Sequence, residues 1–180
     1  MSSKTKIIAF CSIMSALSII FMAVGAFIPS LDMTAALFAS LPIIVIVCVF
    51  GRKHALAVFL SSSLLGVILM LNLPNHGAII AYGCFFGYYP ILKSVIEIKI
   101  RKKWLAILVK FVLFTAIFAV LLFLAITFFN FDEFIGWYSV IIVALGEIAF
   151  VVYDIVLTKG IMYYFRFLRP RLRIERFFRK

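Results

Sequence analysis

The sequence predicts an all-α integral membrane protein, a bundle of six transmembrane helices with both termini cytoplasmic. Three observations predict it. Hydrophobic residues make up 66% of the 180 residues and charged ones only 14%, with a mean hydropathy of +1.22, values foreign to a soluble globular domain. The apolar residues fall into runs of about 17 to 25, the length a helix needs to cross the hydrocarbon. Lysine and arginine then collect at alternate ends of those runs, as they do where cytoplasmic loops carry the basic residues.

The first run covers residues 7–27 and is ended by Pro29, Ser30 and Asp32. Its flank, MSSKTKIIAF, is basic and then apolar like a signal peptide, but no small-x-small cleavage site follows, so a retained first span is expected. The second, 34–50, stops at Gly51, Arg52 and Lys53, and the third, 55–71, gives way to the polar loop NLPNHG. The fourth, 78–97, reads AIIAYGCFFGYYPILKSVIE and is followed by the basic cluster KIRKK. Pro90 in it leaves the carbonyl about four residues back without its helical donor, and Lys93 sets an ionisable group at membrane depth, so this span is a candidate site. The fifth run is 104–129 and the sixth about 134–157. In the tail, 159–180, arginines alternate with aromatic and aliphatic residues. Phe165, Leu168, Leu172 and Phe177 could form the apolar side of a surface helix that Pro170 interrupts, and such a helix suits anionic lipid.

Charge tests this division. Six spans put Lys4 and Lys6, Arg52 and Lys53, the cluster 99–103, Lys159 and the tail arginines on one side, whereas the opposite loops hold Asp32, Asp132 and Glu133 and no lysine or arginine. Losing one span would scatter the basic loops over both faces. The net charge of +11 therefore reads as cytoplasmic anchoring at a cell membrane rather than a nucleic-acid surface, because the cations sit at the ends of apolar runs and not on a folded polar face. Every loop is short, so a single domain is expected, and no internal repeat is visible.

Chemistry-bearing patterns are few. There is no G-x-S-x-G, H-E-x-x-H or phosphate-cradling GK[ST] loop, and neither enzyme activity nor a cofactor is expected. His54 and His76 fall on opposite sides of the membrane and cannot share a metal. Cys11, Cys48 and Cys84 all lie inside apolar runs without C-x-x-C spacing, as free thiols packed like small hydrophobes do. The sharper signal is charge at depth. Counting about 1.5 Å per residue sets Lys93 level with Glu147 and Lys110 level with Asp154, so Lys93 is expected to pair with Glu147 or Glu97, and Lys110 with Asp154.

Asn72, Asn75, His76, Tyr82, Trp137 and Tyr138 are expected to gather at the outer mouths of the third, fourth and sixth spans, with Asp32 and Asp132 in neighbouring loops. Aromatic walls with a few amides and an imidazole suit a small, partly polar ring-containing solute. With Tyr88, Lys93 and Glu147 deeper in the bundle, these residues form the candidate substrate-binding set. On the first span Ser12 and Ala16 stand four apart, beside Ala9 and Ser15, in a small-residue patch that would let another helix approach closely.

Six spans in about 180 residues, both ends inside, a basic N-terminus leading into a small-xxx-small first helix and an outer loop with Pro29 together resemble the substrate-binding S-components of energy-coupling factor transporters. In that family an alanine-xxx-alanine patch on the first helix docks a transmembrane coupling subunit. Ser12 and Ala16 match it, with serine in place of one alanine. The resemblance implies capture of a vitamin-like solute or metal ion from outside, followed by tipping of the loaded protein against the coupling subunit, driven by two cytoplasmic ATPase subunits. Two other readings stand beside it: a membrane enzyme acting on lipid through Lys93 and Glu147, and an accessory or scaffold subunit docking a cytoplasmic partner through its basic tail.

Overall fold

The computed structural model describes residues 3–100, 102–129, 137–163 and 166. The chain divides into two compact units, residues 1–95 with 161–180, and residues 96–160. Among the described residues all regular structure is helical. The first unit holds α1 (Ser3–Phe27), a 3₁₀ turn (Pro29–Leu31), α2 (Asp32–Phe50), α3 (Arg52–Met70), α4 (Gly77–Ala81), a π-helical turn (Tyr82–Phe86) and the start of α5 (Tyr89–Lys99). The second holds the end of α5, α6 (Lys103–Phe129) and most of α7 (Trp137–Tyr163).

Among the described residues five stretches are long and apolar enough to cross a membrane: Lys4–Phe27, Asp32–Phe50, Arg52–Met70, Gly77–Lys99 and Trp104–Leu121. The 27-residue α7 takes in most of the sixth expected run. A multi-span, all-helical membrane fold therefore stands. Asp132, Glu133 and all of the tail after 163 except Arg166 lie outside the described residues.

The fourth span differs from the unbroken helix that the sequence suggests. It is wound in three pieces: α4, then a π turn closed by the Gly87 N–H donating to the Tyr82 carbonyl at 2.8 Å, then α5 beginning afresh at Tyr89. Pro90 is thus the second residue of a new helix, where a missing N–H costs no internal bond. The span breaks just before the proline instead of kinking around it. A proline does sit inside α2, at Pro42, where it is buried.

Helices α1, α2 and α3 stand side by side, α2 antiparallel to its neighbours. Phe10 meets Phe50 at one end, with ring centroids 5.7 Å apart, and near the middle the fully buried Ser18 hydroxyl donates to the Ala39 carbonyl at 2.8 Å. The turn from α2 to α3 consists of Gly51 alone, at φ +85° and ψ 178°, a conformation open essentially to glycine only. Lys4, Arg52, Lys53 and His54 consequently share one end of this unit, and Asp32, Asn75 and Gly77 lie at the other.

Lipid offers helices no hydrophobic reason to associate, so close packing of small residues has to hold them. The core follows that rule: Ala26, Ala36, Ala39 and Ala55 are buried beside Met22, Ile43, Ile46, Val58 and Met70. At Gly25 a methyl group would stand 2.6 Å from the Ala78 Cβ and 2.8 Å from the Ala35 Cβ, so glycine is what lets α1, α2 and α4 meet. Large apolar side chains such as Ile13, Leu64 and Leu69 point outward, as hydrocarbon permits.

Candidate functional site

The Asp32 end is closed by hydrogen bonds. Asp32 lies in the first turn of α2, where the helix dipole favours a carboxylate. The Asn75 side-chain amide donates to both of its oxygens, each at 2.6 Å, and reaches the Gly25 carbonyl at 3.4 Å. The other end of the same amide accepts the Gly77 N–H at 3.2 Å, a turn that starts α4. Asn75 thus fastens the loop after α3 to the ends of α1 and α2, and both ends of its amide are occupied. Asn72 and His76 on the same loop are exposed, with His76 Nε2 3.3 Å from the Leu71 carbonyl.

Tyr82 opens the π turn and is 0% exposed. Ser62 gives its proton to the Phe59 carbonyl at 3.1 Å, so the Tyr82 hydroxyl is the donor in the 2.7 Å bond between the two side chains. Around it Phe59 lies 5.9 Å from Tyr82 and 6.0 Å from Tyr88, and Phe85 stacks on Tyr89 at 5.0 Å. Tyr88 is half-buried. An aromatic cluster therefore surrounds Tyr82, which is sealed inside the core, with Tyr88 at its edge. Lys93 follows on α5, its side chain 1% exposed.

In the second unit, α6 and α7 are held by aromatic stacking and by charge. Phe114 stacks on Phe150 at 4.5 Å and on Phe118 at 5.6 Å. Lys110, buried on α6, donates to Glu97 at 2.6 Å and lies 3.3 Å from Asp154. The depth count thus found the Lys110–Asp154 pair but gave Glu97 no part in it. Glu147, nearly two turns earlier on α7, accepts from Thr115, and its second oxygen is buried with no hydrogen-bond partner among the described residues. The Thr115 hydroxyl also lies 2.9 Å from the Phe111 carbonyl one turn back, so that its single proton is shared between the two. That backbone bond is what a lone threonine in an apolar helix ordinarily makes, and nothing in the sequence marks the second partner. Trp137 opens α7, and its side chain and that of Tyr138 lie outside the described residues.

Ser12 and Ala16 line a groove of about 380 Å³ between α1 and α3. Its walls are Ile8, Cys11, Ser15 and Ile19 from α1 and His54, Ala57, Val58, Ser61 and Leu65 from α3. Both Ser12 and Ala16 are exposed. Compared with protein-family models, with curated proteins and with solved structures, the chain finds no match in any of the three. The likeness to S-components accordingly rests on architecture, at the level of a multi-span helical membrane protein.

Proposed function

We propose that the chain is the solute-capturing subunit of an ATP-driven importer, six spans with cytoplasmic termini, which takes up a small vitamin-like solute and docks a transmembrane coupling subunit through α1. The observation that carries this reading is the open small-residue face of α1, where Ser12 and Ala16 border a groove in place of being packed into the bundle. Such a face admits a second helix at close range. Solute enters from the Asp32 end, where release of Asn75 from Asp32 would free an amide and a carboxylate and open a way toward Tyr82 and Tyr88. The chain itself hydrolyses nothing; partner ATPases supply the energy.

Affinity purification of the tagged chain from its native membrane tests this, with ATP hydrolysis of the eluate as the readout. Copurifying hydrolysis that is lost in the Ser12→Leu, Ala16→Leu double variant is the expected result. An eluate without ATPase activity, or activity that the double variant keeps, overturns the reading.

A further inference from the structure

We propose that the groove between α1 and α3 is a binding site for one anionic phospholipid, an acyl chain lying along its floor and the phosphate held at its basic end. The inference goes beyond the importer reading and does not depend on it. From Ile8 to Ile19 the floor is roughly 16 Å long at about 1.5 Å per residue, close to half of the ~30 Å hydrocarbon core, so the groove has the depth of a single leaflet.

The chemistry of the floor selects hydrocarbon. Three serines line it, yet none has a proton to offer a polar solute. Ser12 donates to the Ile8 carbonyl at 3.1 Å, Ser61 to the Val58 carbonyl at 3.0 Å, and Ser15, 2.8 Å from the Ser61 oxygen, has its proton engaged there. What remains exposed is methylene, methyl and thiol surface from Ile8, Cys11, Ala16, Ile19, Ala57 and Leu65.

The end of the groove selects the headgroup. His54 lines the groove there, with Arg52 and Lys53 exposed in the same first turn of α3 and Lys4 exposed on α1 about one turn before Ile8. His54 Nδ1 donates to the Phe50 carbonyl at 3.1 Å, which fixes the ring at the mouth. No side chain caps α3, so the positive end of its dipole adds to the field of these cations. Among the described residues of this unit the one acidic side chain, Asp32, sits at the far end. A zwitterionic lipid would gain the apolar contact but little from the cations. In an assembled importer the partner helix over Ser12 and Ala16 would displace the lipid.

Native mass spectrometry of the purified full chain, with phosphatidylglycerol or phosphatidylcholine of identical acyl chains added, tests the site. One retained phosphatidylglycerol is expected, preferred by roughly 30-fold over phosphatidylcholine, as two basic residues at a membrane surface give. Ala57→Trp, which fills the groove from an exposed position, should abolish retention. Arg52→Gln with Lys53→Gln, which leaves the groove intact, should remove most of the preference for phosphatidylglycerol over phosphatidylcholine and carries the test if the tryptophan variant fails to fold. Equal retention of both lipids, retention unchanged in the charge variant, or a dimer mass that the tryptophan variant converts to monomer would overturn the proposal, the last by assigning the groove to a second copy of the chain.

Discussion

Asn75 and Asp32, 43 residues apart in sequence, are joined by an amide nitrogen that stands 2.6 Å from each carboxylate oxygen. A hydrogen bond to a charged acceptor contributes about 1.5–3 kcal/mol, so Asn75→Ala is expected to lower thermal stability in detergent by that amount. Asn75→Asp should lower it further, because two carboxylates would then face one another, and adding Asp32→Asn should recover part of the loss. Unfolding temperatures identical to the parent in both single variants would show that the contact closes nothing.

Lys110 bridges Glu97 and Asp154, at 2.6 and 3.3 Å. Removing one member of a buried ionic group typically costs about 3–5 kcal/mol, and here the lower end applies because Glu97 is 44% exposed and water screens it. Lys110→Met should therefore destabilise strongly. The triple change Lys110→Met, Glu97→Gln, Asp154→Asn should recover most of the loss. Denaturant titration followed by tryptophan fluorescence checks it, and a triple variant no better than the single one would contradict the charge argument.

Thr115→Val keeps the shape of the side chain on α6 but removes the hydroxyl that reaches Glu147. Leaving that buried carboxyl without a partner is expected to cost about 1–3 kcal/mol. Glu147→Gln keeps an acceptor for Thr115 and should be tolerated better. If Thr115→Val proves silent in thermal unfolding, the hydroxyl is not what holds Glu147.

Gly51 and Gly160 both have nothing within 4 Å of the position a Cβ would take, and they differ in backbone: only Gly51 has positive φ. Gly51→Ala should cost about 1–3 kcal/mol through conformation alone. Gly160→Ala, inside α7, should instead stabilise by about 0.5–1 kcal/mol. Opposite shifts in unfolding temperature are expected, and shifts of one sign would refute the backbone explanation.

The sequence shows most where the signal is one-dimensional. Run length located α1, α2, α3 and α6 to within a few residues, and depth counting along straight helices placed Lys110 opposite Asp154. It shows least where the direction a side chain takes around its helix decides the outcome. Depth alone could not say that Glu97 would reach Lys110, or that Glu147 would turn to Thr115. Nor could an apolar run announce a π turn, since Tyr82, Gly83, Cys84, Phe85 and Phe86 are as apolar as a regular helix would be. Asp32 and Asn75 were both legible as polar residues of the same membrane face, but not as partners, because a loop's fold is set by hydrogen bonds between distant segments. Ser12 and Ala16 were legible as a patch, whereas the groove beside them needs α3, whose Ala57 and Ser61 had drawn no notice.

The wide turn at Tyr82–Phe86 has a consequence for phase. Each residue in a helix advances the azimuth by about 100°, so one surplus residue swings Tyr89, Pro90 and Lys93 around by roughly a third of a revolution relative to a plain winding. Excising a single residue there would rewind the lower half of the span like a watch set back one notch. The buried amine of Lys93 would then be carried to a different compass bearing, with its depth scarcely altered.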